Sequence, residues 1–210
     1  MQAFYNPTTE ERVNERVLYA NYGVVPETAA ANGWYPFDIS PIAHDRRFYY
    51  LEENGVVPGD EPDTYKINWN TLPLPVELVR ETLKKELASY RYIKETDGIT
   101  VNGSTILTDR ESQATITGAK AYSDVDLTAV VNWKSPTGWV EINRDTILAL
   151  AQAVGMHVQT CFTREKAICD LIDAALSVED LITVSADMKT GWPETAGVNT
   201  PKNQDRFGYI

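Results

Sequence analysis

The chain has 210 residues and few of the side chains that most often carry chemistry: two cysteines, two histidines and three methionines. Two cysteines cannot make a disulfide framework. Cys161 and Cys169 are eight positions apart in a segment whose spacing predicts a helix. That places them about 12 Å apart along the axis, too far to bridge. They read as small apolar residues on a buried helix face. His44 and His157 have no partner residues at metal-ligand spacing. His157 reads as a helix-borne histidine satisfied by a neighbour, and His44-Asp45-Arg46-Arg47 as solvated loop charge rather than an acid–base pair. No run approaches the roughly 18 apolar residues of a membrane span. The segment Met1–Pro7 lacks a basic stretch followed by an apolar one, so no signal peptide is expected and synthesis in the cytoplasm is. Walker, G-x-G-x-x-G and G-x-S-x-G patterns are missing, and Asp124 and Asp126 lack the surrounding ligands of an EF-hand. The expectation is therefore no catalytic, cofactor-binding or metal-binding residue, no cofactor, and no enzyme.

Positive charge is also scarce. Nineteen Lys and Arg face 30 Asp and Glu, for a net charge of −11. Such a surface repels phosphate backbones, so nucleic acid is not an expected partner, and neither is a membrane. Residues 1–75 hold 5 basic and 11 acidic residues, and the remainder 14 and 19, so the acidity is spread along the chain.

Aromatics are present in force, and they cluster. Residues 1–74 carry Phe4, Tyr5, Tyr19, Tyr22, Trp34, Tyr35, Phe37, Phe48, Tyr49, Tyr50, Tyr65 and Trp69, punctuated by Pro and Gly. Short strands are expected at 17–22, 48–51 and 65–69, with 11–19 open to an alternative helical start. Asn54–Asp63 reads as an acidic surface loop, because Pro and Gly break its period. Leu72-Pro73-Leu74-Pro75 marks a boundary. A helix is expected from near Pro75, with Val76, Val79, Leu83, Leu87 and Tyr90 on one face and Gly98 as its stop. Asn102-Gly103 is a strong hairpin signal. Thr108-x-x-Glu111 has the capping-box pattern, so a helix is expected to open near Asp109, although Thr115-Ile116-Thr117-Gly118 is poor helix material. The small residues of that helix would permit close packing.

A second hairpin is expected at 129–142 around Ser135-Pro136-Thr137-Gly138, whose Pro and Gly suit a type I turn. Trp133 and Trp139 flank that turn and are expected to approach across the strands, either as a clasp over the core or as a face for a partner or a sugar. Asn143 then caps a long helix with a stripe from Ile147 to Leu176. Glu165 interrupts the stripe, and 163–165 is a possible bend. Ser177 resembles another cap, opening a short turn through Leu181 and Ile182. From Ser185 the chain is polar, with Trp192, Phe207, Tyr209 and Ile210 as isolated anchors: either a loose tail or an arm that orders on a neighbour.

The expected fold class is α+β: a small aromatic-rich β module (1–74), a helix–hairpin–helix–hairpin–long-helix domain (75–184), and an extended C-terminal arm (185–210).

Several ordered motifs carry a resemblance. They are Glu95-Thr96-x-Gly98-Ile99-x-Val101-x-Gly103-x-x-Ile106-x-Thr108-Asp109-Arg110-x-Ser112, then Ile116-x-Gly118-Ala119 and Trp133-Lys134. Leu148-Ala149-x-Ala151-x-Ala153-Val154-x-x-His157-Val158-x-x-Cys161-Phe162 completes the series. Over about residues 90–185 the chain resembles a domain of unknown function from tailed bacteriophages, commonly the C-terminal part of tail-fibre-associated and tail-fibre-assembly-like proteins. Gly33-Trp34-Tyr35-Pro36 and Tyr65-x-Ile67 also resemble its usual N-terminal companion. The resemblance implies a phage tail context and no catalytic residues.

The leading expectation is a structural, virion-located component of a tail, baseplate or tail-fibre attachment, made in the host cytoplasm. It would dock other tail or fibre proteins and form a homo-oligomer. The alternatives are a tail-fibre assembly chaperone not retained in the virion and, more distantly, a glycan-acting enzyme. Expected partner-binding residues are Trp34, Tyr35, Phe37, Trp192, Phe207 and Tyr209, since aromatic anchors dominate interface energies.

Overall fold

The computed structural model describes residues 2–135 and 138–198, apart from the side chain of Ser135. The fold is α+β and divides into two compact units between Pro75 and Val76.

The first unit is built on a five-stranded sheet. Its strands are β1 (Ala3–Asn6), β2 (Glu11–Asn14), β3 (Tyr35–Asp38), β4 (Tyr49–Pro58) and β5 (Tyr65–Pro73), in the spatial order β2-β1-β3-β5-β4. The β3–β5 pair is parallel and the others are antiparallel. Adjacent residues of β1 serve opposite faces. Phe4 joins Leu18, Val24, Ala29 and Trp34 in a buried cluster. Tyr5 lies with Phe37 and Tyr65 at ring-centroid distances of 5.6 and 5.1 Å.

Helix α1 (Glu15–Tyr22) replaces the strand expected at 17–22. Its ends decide the matter. The Asn14 side chain accepts from the Val17 amide at 3.0 Å, and Gly23 closes the helix in the left-handed region. The loop expected at Asn54–Asp63 is also overturned in its first half, which belongs to β4. Gly55 at φ +78° absorbs a register shift between Glu53 and Val56, so the strand continues past it.

The second unit begins with α2 (Val76–Thr96) and the hairpin β6 (Ile99–Val101) and β7 (Ser104–Ile106). Helix α3 (Arg110–Val125), the hairpin β8 (Val130–Ser135) and β9 (Gly138–Asn143), α4 (Arg144–Ala174) and α5 (Val178–Asp187) follow. The α2 face is as its spacing predicts: Val79, Leu83 and Leu87 are fully buried. Truncating one such leucine to alanine costs about 2–5 kcal/mol. Asn102 and Gly103 both have positive φ, as their turn requires.

Helix α4 runs for 31 residues, about 46 Å, and its helical assignment continues through 163–165. Asn143 caps it through the Thr146 amide. Ser177 and Asp180 form a reciprocal capping box on α5, which extends beyond the expected short turn. Helix α3 forms despite its weak propensity because Ile116 is buried in a cluster with Ile99 and Val154. Gly118 is not there for close packing, since a Cβ on it would meet nothing within 4 Å.

The two tryptophans of the second hairpin do not meet. Trp133 pairs with Val140 and Trp139 with Lys134, so the indoles point to opposite faces. Trp133 packs against the core, while Trp139 is 71% exposed. Pro136 and Thr137, the centre of the expected type I turn, lie outside the described residues.

Candidate functional site

Two features of the second unit concentrate its distinctive side chains. One is a polar clasp at the junction of α2, the first hairpin and α3. Glu95 is completely buried near the end of α2. Its carboxylate pairs with Arg91 one turn earlier and with Arg110 Nη1 at 2.8 Å, and it accepts from Gln113 Nε2 at 3.2 Å. Arg91 also donates through Nε to Glu165 on α4 at 3.1 Å and lies over the Phe162 ring at 4.5 Å. The charge that interrupts the apolar stripe of α4 is therefore the second partner of a mostly buried arginine.

Thr108 is not the cap of α3. Its hydroxyl donates to the Glu95 carbonyl at 2.7 Å and accepts from the Gly98 amide at 3.0 Å, while the cap is Asp109, whose side chain accepts from the Ser112 amide. Thr108 thus ties the two ends of the hairpin together, and the Glu95–Gly98 and Thr108–Arg110 motifs meet in space as a structural clasp.

His157 and Cys161 lie one helical turn apart on α4 beside this clasp, with Sγ 3.9 Å from Nε2. Nε2 lies 3.1 Å from the Lys94 carbonyl, an acceptor, so Nε2 carries the proton. Burial pushes the Cys161 thiol up to about 11, with the Glu95 charge adding to the effect. A thiol held protonated by burial is the reverse of an activated cysteine. In the first unit, His44 Nδ1 approaches the Ile42 carbonyl, while the Arg47 side chain bonds Asp45 and holds its carboxyl below the usual range. Among the described residues, no group of three or more His, Cys, Asp or Glu side chains is placed to hold a metal ion. No helix among them is long and apolar enough to cross a membrane.

The other feature is a cleft of about 900 Å³. It lies among the two hairpins, α3 and the first turns of α4. Val101 and Ile106 from the first hairpin, Trp133, Val140 and Ile142 from the second, Ile116 from α3 and Leu150 from α4 supply apolar walls. Lys134 and Asp145 add one charge of each sign. Each two-stranded hairpin has one apolar face and no further strand to extend it, and the cleft lies where those faces meet. Its volume suits a ligand or a few side chains of another segment. Sequence reasoning missed it. The apolar residues were legible, but not that two hairpins separated along the chain by α3 would converge on one depression.

The six aromatic residues expected to bind partners are distributed unevenly. Trp34 is 3% and Phe37 7% exposed, both within the core of the first unit. Tyr35 is half-buried, 5.7 Å from Tyr65 between ring centroids. Trp192 packs edge-on against Tyr90 at 5.5 Å and donates from Nε1 to the Met188 carbonyl at 2.8 Å. Phe207 and Tyr209 lie outside the described residues. As far as Val198 the C-terminal arm folds onto its own unit. Arg164 Nε donates to the Thr190 carbonyl, Thr195 Oγ1 to Asp97 Oδ2 at 2.6 Å, and the Ala196 amide to the Gly98 carbonyl.

Residues 79–187, which hold both the clasp and the cleft, match the sequence profile of DUF4376, a domain of unknown function, and the chain belongs to that family. No curated protein and no solved structure matches it.

Proposed function

We propose that the chain is a structural component of a bacteriophage tail, baseplate or tail-fibre attachment, and that it works by docking other tail or fibre proteins rather than by catalysis. The observation that carries the docking part is the cleft, whose walls are apolar and aromatic with one charge of each sign on its lining. Exposed Trp139 stands on the outer face of the same hairpin and widens the adhesive surface. The polar groups that invite a catalytic reading are occupied elsewhere: Glu95 is neutralised by two arginines, and the Cys161 thiol stays protonated. The phage context rests on the ordered motifs from Glu95 to Phe162. Homo-oligomerisation in the virion follows from the symmetry of a tail.

Peptide mass spectrometry of purified particles of the encoding phage tests this reading. Presence in a fixed copy number supports a structural part. Absence from particles, with co-purification of a fibre protein from infected cells, transfers the docking role to an assembly chaperone. Absence from both overturns the reading.

A further inference from the structure

Asparagine followed by glycine occurs three times in the chain, at Asn32-Gly33, Asn54-Gly55 and Asn102-Gly103. The pair is chemically labile. Glycine lacks a Cβ, so its backbone nitrogen can reach the carboxamide carbon of the preceding side chain. The three pairs share this local chemistry, and the fold treats them differently.

Asn32 is locked. Its Nδ2 donates to the Thr28 carbonyl at 2.8 Å, and the Gly33 amide, which would be the nucleophile, donates to the Ala30 carbonyl at 3.0 Å. Asn54 sits at the bulge of β4. Its Nδ2 donates to Asn70 Oδ1 at 3.2 Å, and its carbonyl accepts from Asn68 Nδ2 at 3.3 Å. Asn102 has neither restraint. It is exposed at the turn between β6 and β7, at φ +51°. Among the described residues its carboxamide and the Gly103 amide have no hydrogen-bond partner. A Cβ on Gly103 would meet nothing within 4 Å, so this side of the peptide is open space. Both residues line the cleft at its exposed edge.

We propose that Asn102 is a self-modification site, at which the chain deamidates without an enzyme. The Gly103 nitrogen attacks Asn102 Cγ, and the new N–Cγ bond closes a five-membered imide. The Cγ–Nδ2 bond breaks, and ammonia leaves with the proton that Gly103 gave up. Water then opens the ring. Cleavage of the new N–Cγ bond gives aspartate. Cleavage between the Asn102 backbone carbonyl carbon and the Gly103 nitrogen gives isoaspartate, in which the main chain runs through the former side chain.

Aspartate suits the same turn as asparagine and keeps the hairpin. Isoaspartate adds a methylene to the main chain between Val101 and Ser104, whose pairing closes the turn, and so loosens the hairpin. Either product brings a new carboxylate to the cleft. A change in docking as the protein ages rests on the docking reading above, whereas the modification itself does not.

The test follows the purified full chain through incubation in mildly alkaline buffer, which favours removal of the Gly103 amide proton. Trypsin separates the three pairs into peptides 17–46, 48–66 and 95–110. Mass spectrometry reads the mass gain of amide-to-acid conversion in each, and fragmentation assigns it to a residue. Asn32 must break two hydrogen bonds before it reacts, so Asn102 is expected to convert roughly tenfold faster or more, with Asn54 between them. In denaturant, where the fold no longer separates them, the three rates are expected to converge. The 95–110 peptide should yield two products, aspartyl and isoaspartyl. A native rate at Asn102 no higher than at Asn32 and Asn54 overturns the proposal, as does the same order of rates kept in denaturant. A single aspartyl product marks direct hydrolysis and also overturns it. No tail or fibre protein is present in these measurements, so their failure is separable from that of the docking reading.

Discussion

Replacing Glu95 with alanine tests the reading of the clasp. Glu95 is fully buried and holds Arg91 and Arg110, with Gln113 as a further donor. Breaking a buried ion pair from one side costs about 3–5 kcal/mol, because the remaining charge loses its compensation. Here the loss belongs at the lower end, about 3 kcal/mol. Arg91 keeps Glu165, Arg110 is half-exposed and regains water, and Gln113 keeps the Thr108 carbonyl at 2.7 Å. The control is Lys166→Ala, which removes an exposed, solvent-screened pair with Asp170 on α4 and should leave stability nearly unchanged. Native-state amide hydrogen exchange is the right assay, since it reports opening of α2 and α4 without assuming that the two units unfold together. At about 1.4 kcal/mol per decade, Glu95→Ala lowers protection of the α2 and α4 amides roughly a hundredfold. Protection in Glu95→Ala within threefold of that in Lys166→Ala would refute the claim that this carboxylate clamps the unit.

Three further outcomes follow from the same geometry. Gly98→Ala adds a Cβ 3.1 Å from a backbone oxygen at φ +73°, whereas Gly103→Ala meets open space at φ +78°. The second therefore costs about 1–2 kcal/mol of left-handed strain and the first more, a ranking that denaturant titration of both variants checks. The Asp180 carboxyl is held below its ordinary value by the Ser177 hydroxyl and then by the Leu176 and Ser177 amides. A depressed carboxylate contributes stability above its unfolded pKa and loses it as pH falls through the folded one, so the start of α5 frays on acidification below the ordinary carboxylate range. Ser177→Ala should weaken that pH dependence in residue-resolved exchange, and an unaltered profile would count against the cap. Cys161, buried and with its thiol raised to about 11, should resist an aromatic disulfide reagent at pH 8 until the chain unfolds, and stoichiometric labelling in the native state would contradict its burial.

Local signals were legible where neighbours along the chain decide the outcome. The apolar spacing of α2, the Asn102-Gly103 turn and the caps at Asn143 and Ser177 all act within a few residues, so the sequence alone reveals them. Reading failed where distant packing chooses between local options. Thr108 resembled a cap but bonds the Glu95 carbonyl and the Gly98 amide, while the adjacent Asp109 caps α3. The motifs from Glu95 to Arg110 were recognisable as a pattern, yet nothing in their order told that they form a clasp.

By itself, then, the amino-acid sequence determined the α+β class, the second unit's helices and hairpins, and the acidic balance, because periodicity, turn chemistry and charge are properties of short stretches. Only the tertiary structure decided that Trp133 turns to the core while Trp139 faces water, that Glu165 answers Arg91, and that two hairpins and two helices enclose a cleft. Each of those depends on which faces meet in space, and many arrangements of the same local elements would satisfy the same local rules.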